Sequence, residues 1–133
     1  MAETHYRFPF GQPVSGNPLS RRRAPHFSVR TIRDFTESIA LLTHAGLTVR
    51  DALSIAATVF PGGSGERGEP RRLAELLFEQ IKAGSAFSDA LCSLGGSFPP
   101  LYRGLVRVGE RVGTLELVLS RIASYLADEK RVR

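Results

Sequence analysis

Residues 41–53 have the sequence LLTHAGLTVRDAL, and this stretch predicts the end of one helix, a sharp reversal and the start of another. Gly46 follows a run of periodic apolar residues, and glycine readily takes the left-handed conformation found just after a helix. Thr48 then supplies a hydroxyl that can cap a new helix, with Asp51 three residues on as an acidic partner. The stretch therefore predicts two helices that fold back on each other.

Similar breaks divide the rest of the chain. Glycines or prolines end or open the later helices, at Pro70, Gly84, Gly95, Pro100 and Gly113. Hydroxyls available as N-caps belong to Ser28 or Thr31, to Ser85 or Ser88, and to Thr114. Six helices with short loops and no strand pattern predict an all-α fold, an antiparallel helical bundle.

Apolar residues recur every three or four positions within the helices, which predicts one inward-facing side for each. In the second helix this side comprises Ala52, Leu53, Ile55, Ala56 and Val59. In the fifth it comprises Leu101, Leu105, Val106 and Val108. In the last it comprises Leu115, Leu117, Val118, Ile122, Tyr125 and Leu126. Cys92, the single cysteine among the 133 residues, is interpreted as a small core residue.

Residues 1–28 predict a flexible basic leader, and the helical domain is expected over residues 29–131. Four prolines and few apolar residues oppose regular structure in the leader. Residues 1–30 hold five arginines and one glutamate, a net charge of +4, whereas the net charge of the whole chain is +5. The run Arg21–Arg23 is interpreted as a solvated linker, with contact to acidic lipid or nucleic acid as the alternative.

The helical part is therefore almost neutral, and this argues against a large nucleic-acid-binding face. A helical nucleic-acid-binding regulator with a basic N-terminal arm remains the alternative function. Catalytic groups do not gather in the sequence, since His5, His26 and His44 are scattered, and no phosphate-binding glycine loop with its lysine occurs. We expect neither an enzyme nor a signal peptide, and no run in the sequence approaches the ~18–20 apolar residues that span a membrane.

Three segments in order resemble a known family. They are residues 41–53; residues 81–91, IKAGSAFSDAL; and a third run with FPPLY at 98–102, VGERVGTL at 108–115 and Leu119 to Leu126. Together they resemble the cytoplasmic domain of the inner-membrane platform protein of type II secretion systems, the general secretion pathway F protein, and its type IV pilus relatives. The Gly-Glu-X-X-Gly-X-Leu segment is the most diagnostic, although Val112 replaces the small residue more usual in the family.

This resemblance covers about residues 31–130 and implies a non-catalytic scaffold. It implies a first cytoplasmic domain of a bacterial inner-membrane protein, whose membrane segments lie outside this chain. It also implies that the domain binds the assembly ATPase and adaptor proteins, with self-association and without nucleic acid. The resemblance does not indicate which face binds which partner.

Glu110 is the charged residue that the sequence singles out, because it lies between Gly109 and Gly113 in a mostly apolar helix. Its side chain can face solvent, pair with Arg107 or Arg111, or face another helix or a second copy of the domain and bond there to exposed backbone N–H groups. Members of the family are suspected of binding metal near this glutamate, and oxygen ligands would suit Ca²⁺, which takes about six to eight. We therefore keep Glu110 as a possible Ca²⁺ ligand and otherwise expect no cofactor.

Other residues are assigned structural roles. Gly46, Gly84, Gly109 and Gly113 form the glycine pattern of the motif. Asp51 and Asp89 are expected to stabilise first helical turns, and His44 a helix end. Four arginines on outer helix faces are expected to be solvated, with contact to an acidic partner as the alternative, namely Arg71, Arg72, Arg103 and Arg107.

Overall fold

The computed structural model describes residues 25–132, with side chains described for residues 25–129. Over this range it contains six α-helices and no strand, so the all-α prediction is confirmed. The helices are α1 (Val29–His44), α2 (Val49–Val59), α3 (Glu69–Lys82), α4 (Phe87–Cys92), α5 (Pro100–Val112) and α6 (Leu115–Val132). Single 3₁₀ turns, Glu66–Gly68 and Gly95–Ser97, precede α3 and α5.

The core lies where α1 packs against α6, α2 against α3, and α5 against both α4 and α6. Phe98 is fully buried at its centre and makes edge-to-face contacts with Phe35, at 6.3 Å between ring centroids, and with Tyr102, at 4.8 Å. Aromatic pairs in this geometry add to the stability that burial alone provides. The loop between α4 and α5 is thereby held against α1.

Helix ends follow local chemistry at several predicted places. Ser28 caps α1 by accepting a hydrogen bond from the Thr31 backbone N–H. Pro70 lies in the first turn of α3, where the missing N–H has no helical partner to lose. The capping prediction for α4 is wrong, because its N-cap is Ala86 and no side chain at that position bonds to the helix.

The packed domain begins before the predicted boundary at residue 29. Phe27 is only 4% exposed, and its backbone N–H donates to the Ser97 hydroxyl at 3.0 Å. That hydroxyl in turn donates to the Pro25 carbonyl. Residues 25–28 are thus tied to the turn before α5, whereas the rest of the predicted leader, residues 1–24, lies outside the described residues.

Several apolar side chains predicted to face inward are exposed. On α5 the buried residues are Tyr102, Val106 and Gly109. Apolar periodicity alone does not tell which part of a wide apolar arc the neighbouring helices cover. The predicted inward residues that are exposed are Leu101, Leu105 and Val108 on α5, Leu117 and Tyr125 on α6, and Ile55 and Val59 on α2.

Candidate functional site

Glu110 lies on α5 and binds the start of α4. One carboxylate oxygen accepts from the Ser88 backbone N–H at 2.9 Å, and the other accepts from the Ser88 hydroxyl at 2.6 Å. Ser88 is 2% exposed, so its N–H lies away from water. The N–H groups of a first helical turn have no helical partner, and a carboxylate there also suits the helix dipole. Glu110 therefore caps α4 from another helix.

This geometry selects among the alternatives that the sequence left open for Glu110. The carboxylate faces another helix and bonds to a backbone N–H group. Arg107 instead pairs with Asp89 of α4, at 3.7 Å. Ser88, which the sequence suggested as a cap, is the residue that receives one.

The two glycines that flank Glu110 are required for different physical reasons. A Cβ on Gly109 would lie 3.0 Å from Val118 Cγ2 and 3.1 Å from Leu115 Cα, so only glycine lets α6 approach this closely. Gly113 ends α5 with φ 83°, in the left-handed region. The segment Gly109–Leu115 thus combines a close helix contact, a remote cap and a helix reversal.

Gly46 and Gly84 end α1 and α3 with φ of 106° and 113°. After each of them the chain bonds back to the helix that it leaves, Leu47 N–H to the Leu42 carbonyl and Ser85 N–H to the Gln80 carbonyl. Such bonds satisfy carbonyls that a helix end would leave unpaired. Both glycines therefore set the direction of the next helix.

The surroundings of Glu110 do not provide the ligand set of a calcium site. Ca²⁺ takes about six to eight oxygen ligands, and both Glu110 oxygens already accept hydrogen bonds from Ser88. Among the described residues, no three His, Cys, Asp or Glu side chains gather as metal ligands would. The Ca²⁺ assignment stays a prediction, and no role is derived from it.

The remaining titratable residues that the sequence singled out lie at helix ends. Asp51 lies in the first turn of α2, where its own N–H donates to the Thr48 hydroxyl at 3.0 Å. His44 is the last residue of α1, and its Nδ1 lies 2.7 Å from a carboxylate oxygen of Glu116 on α6. This pair is exposed, and exposed pairs stabilise a fold only slightly.

Cys92 is not a core residue, and this corrects the prediction. It is half-buried at the end of α4, with the guanidinium groups of Arg107 and Arg103 at 3.6 Å and 3.9 Å from its sulfur. Both arginines therefore fold back over α4.

Arg71 and Arg72 bond to the loop that precedes α3. Arg72 donates to the Gly63 and Gly65 carbonyls, at 3.0 Å and 3.1 Å. Arg71 pairs with Glu75 one turn along α3. These guanidinium groups hold the loop, a role that the sequence did not predict because the carbonyl partners carry no residue-specific signal.

Tyr102 is a second feature that the sequence did not reveal. Its hydroxyl lies 2.6 Å from the Thr36 hydroxyl, and both side chains are buried. Burial raises the pKa of Tyr102 well above its usual value, because it disfavours the charged form. This bond joins α1 to α5 and fixes which side of α5 faces the core.

With that side fixed, α5 presents a second apolar face to solvent. Leu101, Leu105, Val108 and Val112 are 71%, 39%, 55% and 65% exposed. They lie four, three and four residues apart, on one face of the helix. We call these four side chains the α5 stripe; exposed contiguous apolar surface of this kind is typical of interaction sites.

No helix in the described part of the chain is long and apolar enough to cross a membrane. A family model for protein F of the type II secretion system matches residues 35–133. The α1 to α6 bundle, with the Glu110 cap and the α5 stripe, therefore lies almost entirely inside the matched range.

Curated proteins with similar sequences carry related names. Type IV pilus assembly protein PilC of Thermus thermophilus is 37% identical over 102 residues, which are 74% of this chain and 23% of that protein. Type II secretion system protein F of Aeromonas hydrophila is 32% identical over 98 residues, 74% of this chain and 24% of that protein. Protein transport protein HofC homolog of Escherichia coli is 35% identical over 103 residues, which cover 74% of this chain and 24% of that protein.

The chain thus aligns with about a quarter of the length of these relatives. The match of the family model begins at the seventh residue of α1 and extends to residue 133. The chain belongs to the type II secretion system protein F family.

Proposed function

We propose that this chain is a cytoplasmic scaffold domain of an inner-membrane platform protein for type II secretion or type IV pilus assembly. In this function it binds the assembly ATPase and its adaptor proteins and performs no chemistry itself. The observation that carries the proposal is the family match over residues 35–133. Because the chain aligns with only a quarter of its relatives, the membrane segments belong to a longer protein in this proposal.

The bonding of the polar groups supports a structural role. Glu110 binds Ser88, Asp89 pairs with Arg107, and Arg72 binds the loop before α3. Each of these groups fixes one element against another, as a domain that transmits force or position between partners requires. Self-association of the longer protein is part of the proposal, and we assign it to no surface.

Binding to the purified assembly ATPase and adaptor from the same organism tests the proposal. We expect the chain to bind at least one of them with a Kd on the order of micromolar, as transient interfaces do. The longer protein is expected in the inner-membrane fraction. Failure of both partners to bind, or a soluble longer protein, would show that the proposal is wrong.

A titration with duplex DNA tests the alternative function in parallel. A nucleic-acid-binding regulator would bind tightly and lose affinity steeply as salt is raised, because phosphate contacts release counterions. A scaffold domain of near-neutral charge binds DNA weakly at 200 mM salt or not at all. Tight, salt-sensitive DNA binding would favour the regulator.

A further inference from the structure

The α5 stripe is apolar surface that the fold leaves open. The apolar arc of α5 is wide enough for two contacts, and the domain covers one side of it with Tyr102, Val106 and Gly109. The stripe forms the other side and extends about 16 Å from Leu101 to Val112, at 1.5 Å per residue. Leu101, Val108 and Val112 of the stripe are each more than half exposed.

Gly104 borders this stripe on the helix surface, one turn from Leu101 and one turn from Val108. It is exposed in the interior of α5, and a Cβ added to it would have no atom within 4 Å. Glycine is among the least favourable residues for a helix interior, and the domain by itself gives no steric reason for one. A glycine between large apolar side chains allows the backbone of another helix to approach closely.

Arginines line one edge of the stripe. Arg107 lies one turn from Gly104, and Arg111 lies one turn from Val108. The Arg107 side chain reaches Asp89 and Cys92 of α4 but stays 44% exposed, and Arg111 is exposed, whereas Arg103 lies farther from the stripe, over α4. The Asp89 carboxylate forms an ion pair with Arg107, and the Glu110 carboxylate accepts hydrogen bonds from Ser88. The edge therefore carries net positive charge, which complements an acidic partner.

We propose that the α5 stripe, with Gly104 at its border, is the docking site for an amphipathic helix of another protein that carries an apolar face and an acidic edge. The apolar face packs over Leu105 and Val108, and the backbone of the partner helix approaches Gly104. The carboxylates of that helix face Arg107 and Arg111. The inference rests on the proposed function, because a scaffold domain needs a face for its partner.

A second copy of this chain fits the stripe less well. In an antiparallel two-fold pair of α5 helices, the arginine rows of both copies lie on the same side, and juxtaposed like charges oppose binding. One helix stripe also covers much less than the ~800 Å² per partner of a standard stable interface. An anionic membrane would suit the leucines and arginines, but it gives no reason for Gly104.

Two fluorescent 18-residue amphipathic peptides test the chemistry directly. They share one Leu/Ala face and differ only along one edge, which carries glutamates in the first peptide and lysines in the second. We expect fluorescence anisotropy to show that the 133-residue chain binds the glutamate peptide at least tenfold more tightly than the lysine peptide. Equal affinities, or binding of neither, overturn the proposal.

Three variants of the chain locate the site. The double substitution Leu105→Glu with Val108→Glu should weaken binding of the glutamate peptide at least tenfold. Val59→Glu, at an apolar position on α2 that is 73% exposed, should leave the affinity unchanged. Gly104→Leu should also weaken it at least tenfold while raising Tm, which separates docking from folding. Unchanged affinity in the double variant or in Gly104→Leu overturns the proposal.

The other occupants give distinct results. A dimer in sedimentation experiments that the double variant dissociates would assign the stripe to a second copy. Flotation with phosphatidylglycerol vesicles that the double variant abolishes would assign it to a membrane, and either result overturns the proposal. Binding of the ATPase and adaptor to the unaltered chain, measured alongside, tests the proposed function separately, and it can succeed where the stripe variants show no effect.

Discussion

Two turns of this molecule share five of nine residues and have nearly the same backbone. Residues 45–53, AGLTVRDAL, and residues 83–91, AGSAFSDAL, share Ala-Gly at the start and Asp-Ala-Leu at the end. The glycines have φ of 106° and 113°. The N-cap residues, Thr48 and Ala86, have φ/ψ of −69°/162° and −71°/156°. The backbone thus reverses between helices in the same way twice.

The two turns differ in the group that accepts a hydrogen bond from the first turn of the new helix. At α2 the Thr48 hydroxyl accepts from Asp51 N–H, three residues away. At α4 the corresponding residue is Ala86, and Glu110 accepts from Ser88 N–H across 22 positions of sequence. The first cap stabilises one helix, whereas the second also fixes α5 against α4. A residue missing from a local motif can therefore indicate a tertiary bond.

Loss of the remote cap should have the largest effect. Glu110→Ala removes both acceptors and leaves the buried Ser88 N–H and hydroxyl without their partner. Charge-assisted bonds to buried donors account for about 2–3 kcal/mol when one partner is deleted. We expect a decrease of that size in the free energy of unfolding, measured with urea.

Glu110→Gln is the matched control, because an amide retains an oxygen acceptor for the Ser88 N–H. It should lose about 1 kcal/mol, the difference between a charged and a neutral hydrogen bond. A loss in Glu110→Ala no greater than that in Glu110→Gln would show that the carboxylate does not act as a cap.

Gly109→Ala should have the next largest effect, since it disturbs the helix contact that positions the remote cap. The added Cβ would lie 3.1 Å from the Leu115 backbone and 3.0 Å from Val118, so α6 must shift. Overpacking costs about 1–3 kcal/mol, which exceeds the helix preference of alanine. We expect a net loss of about 1–2 kcal/mol in urea unfolding.

Gly104→Ala on the same helix serves as its control. The added methyl meets no atom within 4 Å, so only the helix preference of alanine acts, and stability should rise by about 0.5–1 kcal/mol. Equal effects of the two substitutions would contradict the close approach of α5 and α6.

Thr48→Ala makes the first turn resemble the second without providing a remote carboxylate. The Asp51 N–H is exposed and can bond to water after the substitution, so the cost is limited. Loss of an N-cap hydroxyl typically costs about 1 kcal/mol. Thermal unfolding should show a loss smaller than that of Glu110→Ala; a larger loss would reverse the ranking of the two caps.

The sequence predicted the features that depend on residues close to each other along the chain. The Thr48 cap, the breaks at Gly46 and Gly84, and the six helices follow from residues within one turn of each other. The all-α class could be predicted for the same reason, since apolar spacing of three and four residues is a local pattern.

The remote contacts could not be predicted in this way. Neither the bond from Glu110 to Ser88 nor that from Tyr102 to Thr36 has a spacing rule, because each depends on how two helices pack. The side of α5 that faces the core follows from the second bond, so the exposure of Leu101 and Val108 was also missed. For the bond from Glu110 to Ser88, the one available signal in the sequence was the absence of a capping side chain at Ala86.

The smallest expected effect, and the sharpest test of the comparison, comes from giving the second turn the cap of the first. Ala86→Thr places a hydroxyl at the backbone geometry that Thr48 has, at an exposed position. With Glu110 present the Ser88 N–H is already satisfied. The hydroxyl can then add a bond only to the Asp89 N–H, the counterpart of the Asp51 N–H, so urea unfolding should change by less than about 0.5 kcal/mol. In the Glu110→Ala background the same substitution should restore about 0.5–1 kcal/mol, because an N-cap hydroxyl can also accept from the N–H two residues on, and this N–H, of Ser88, has lost its partner. Equal gains in both backgrounds would mean that the two caps act independently, and that Glu110 does not replace the missing threonine.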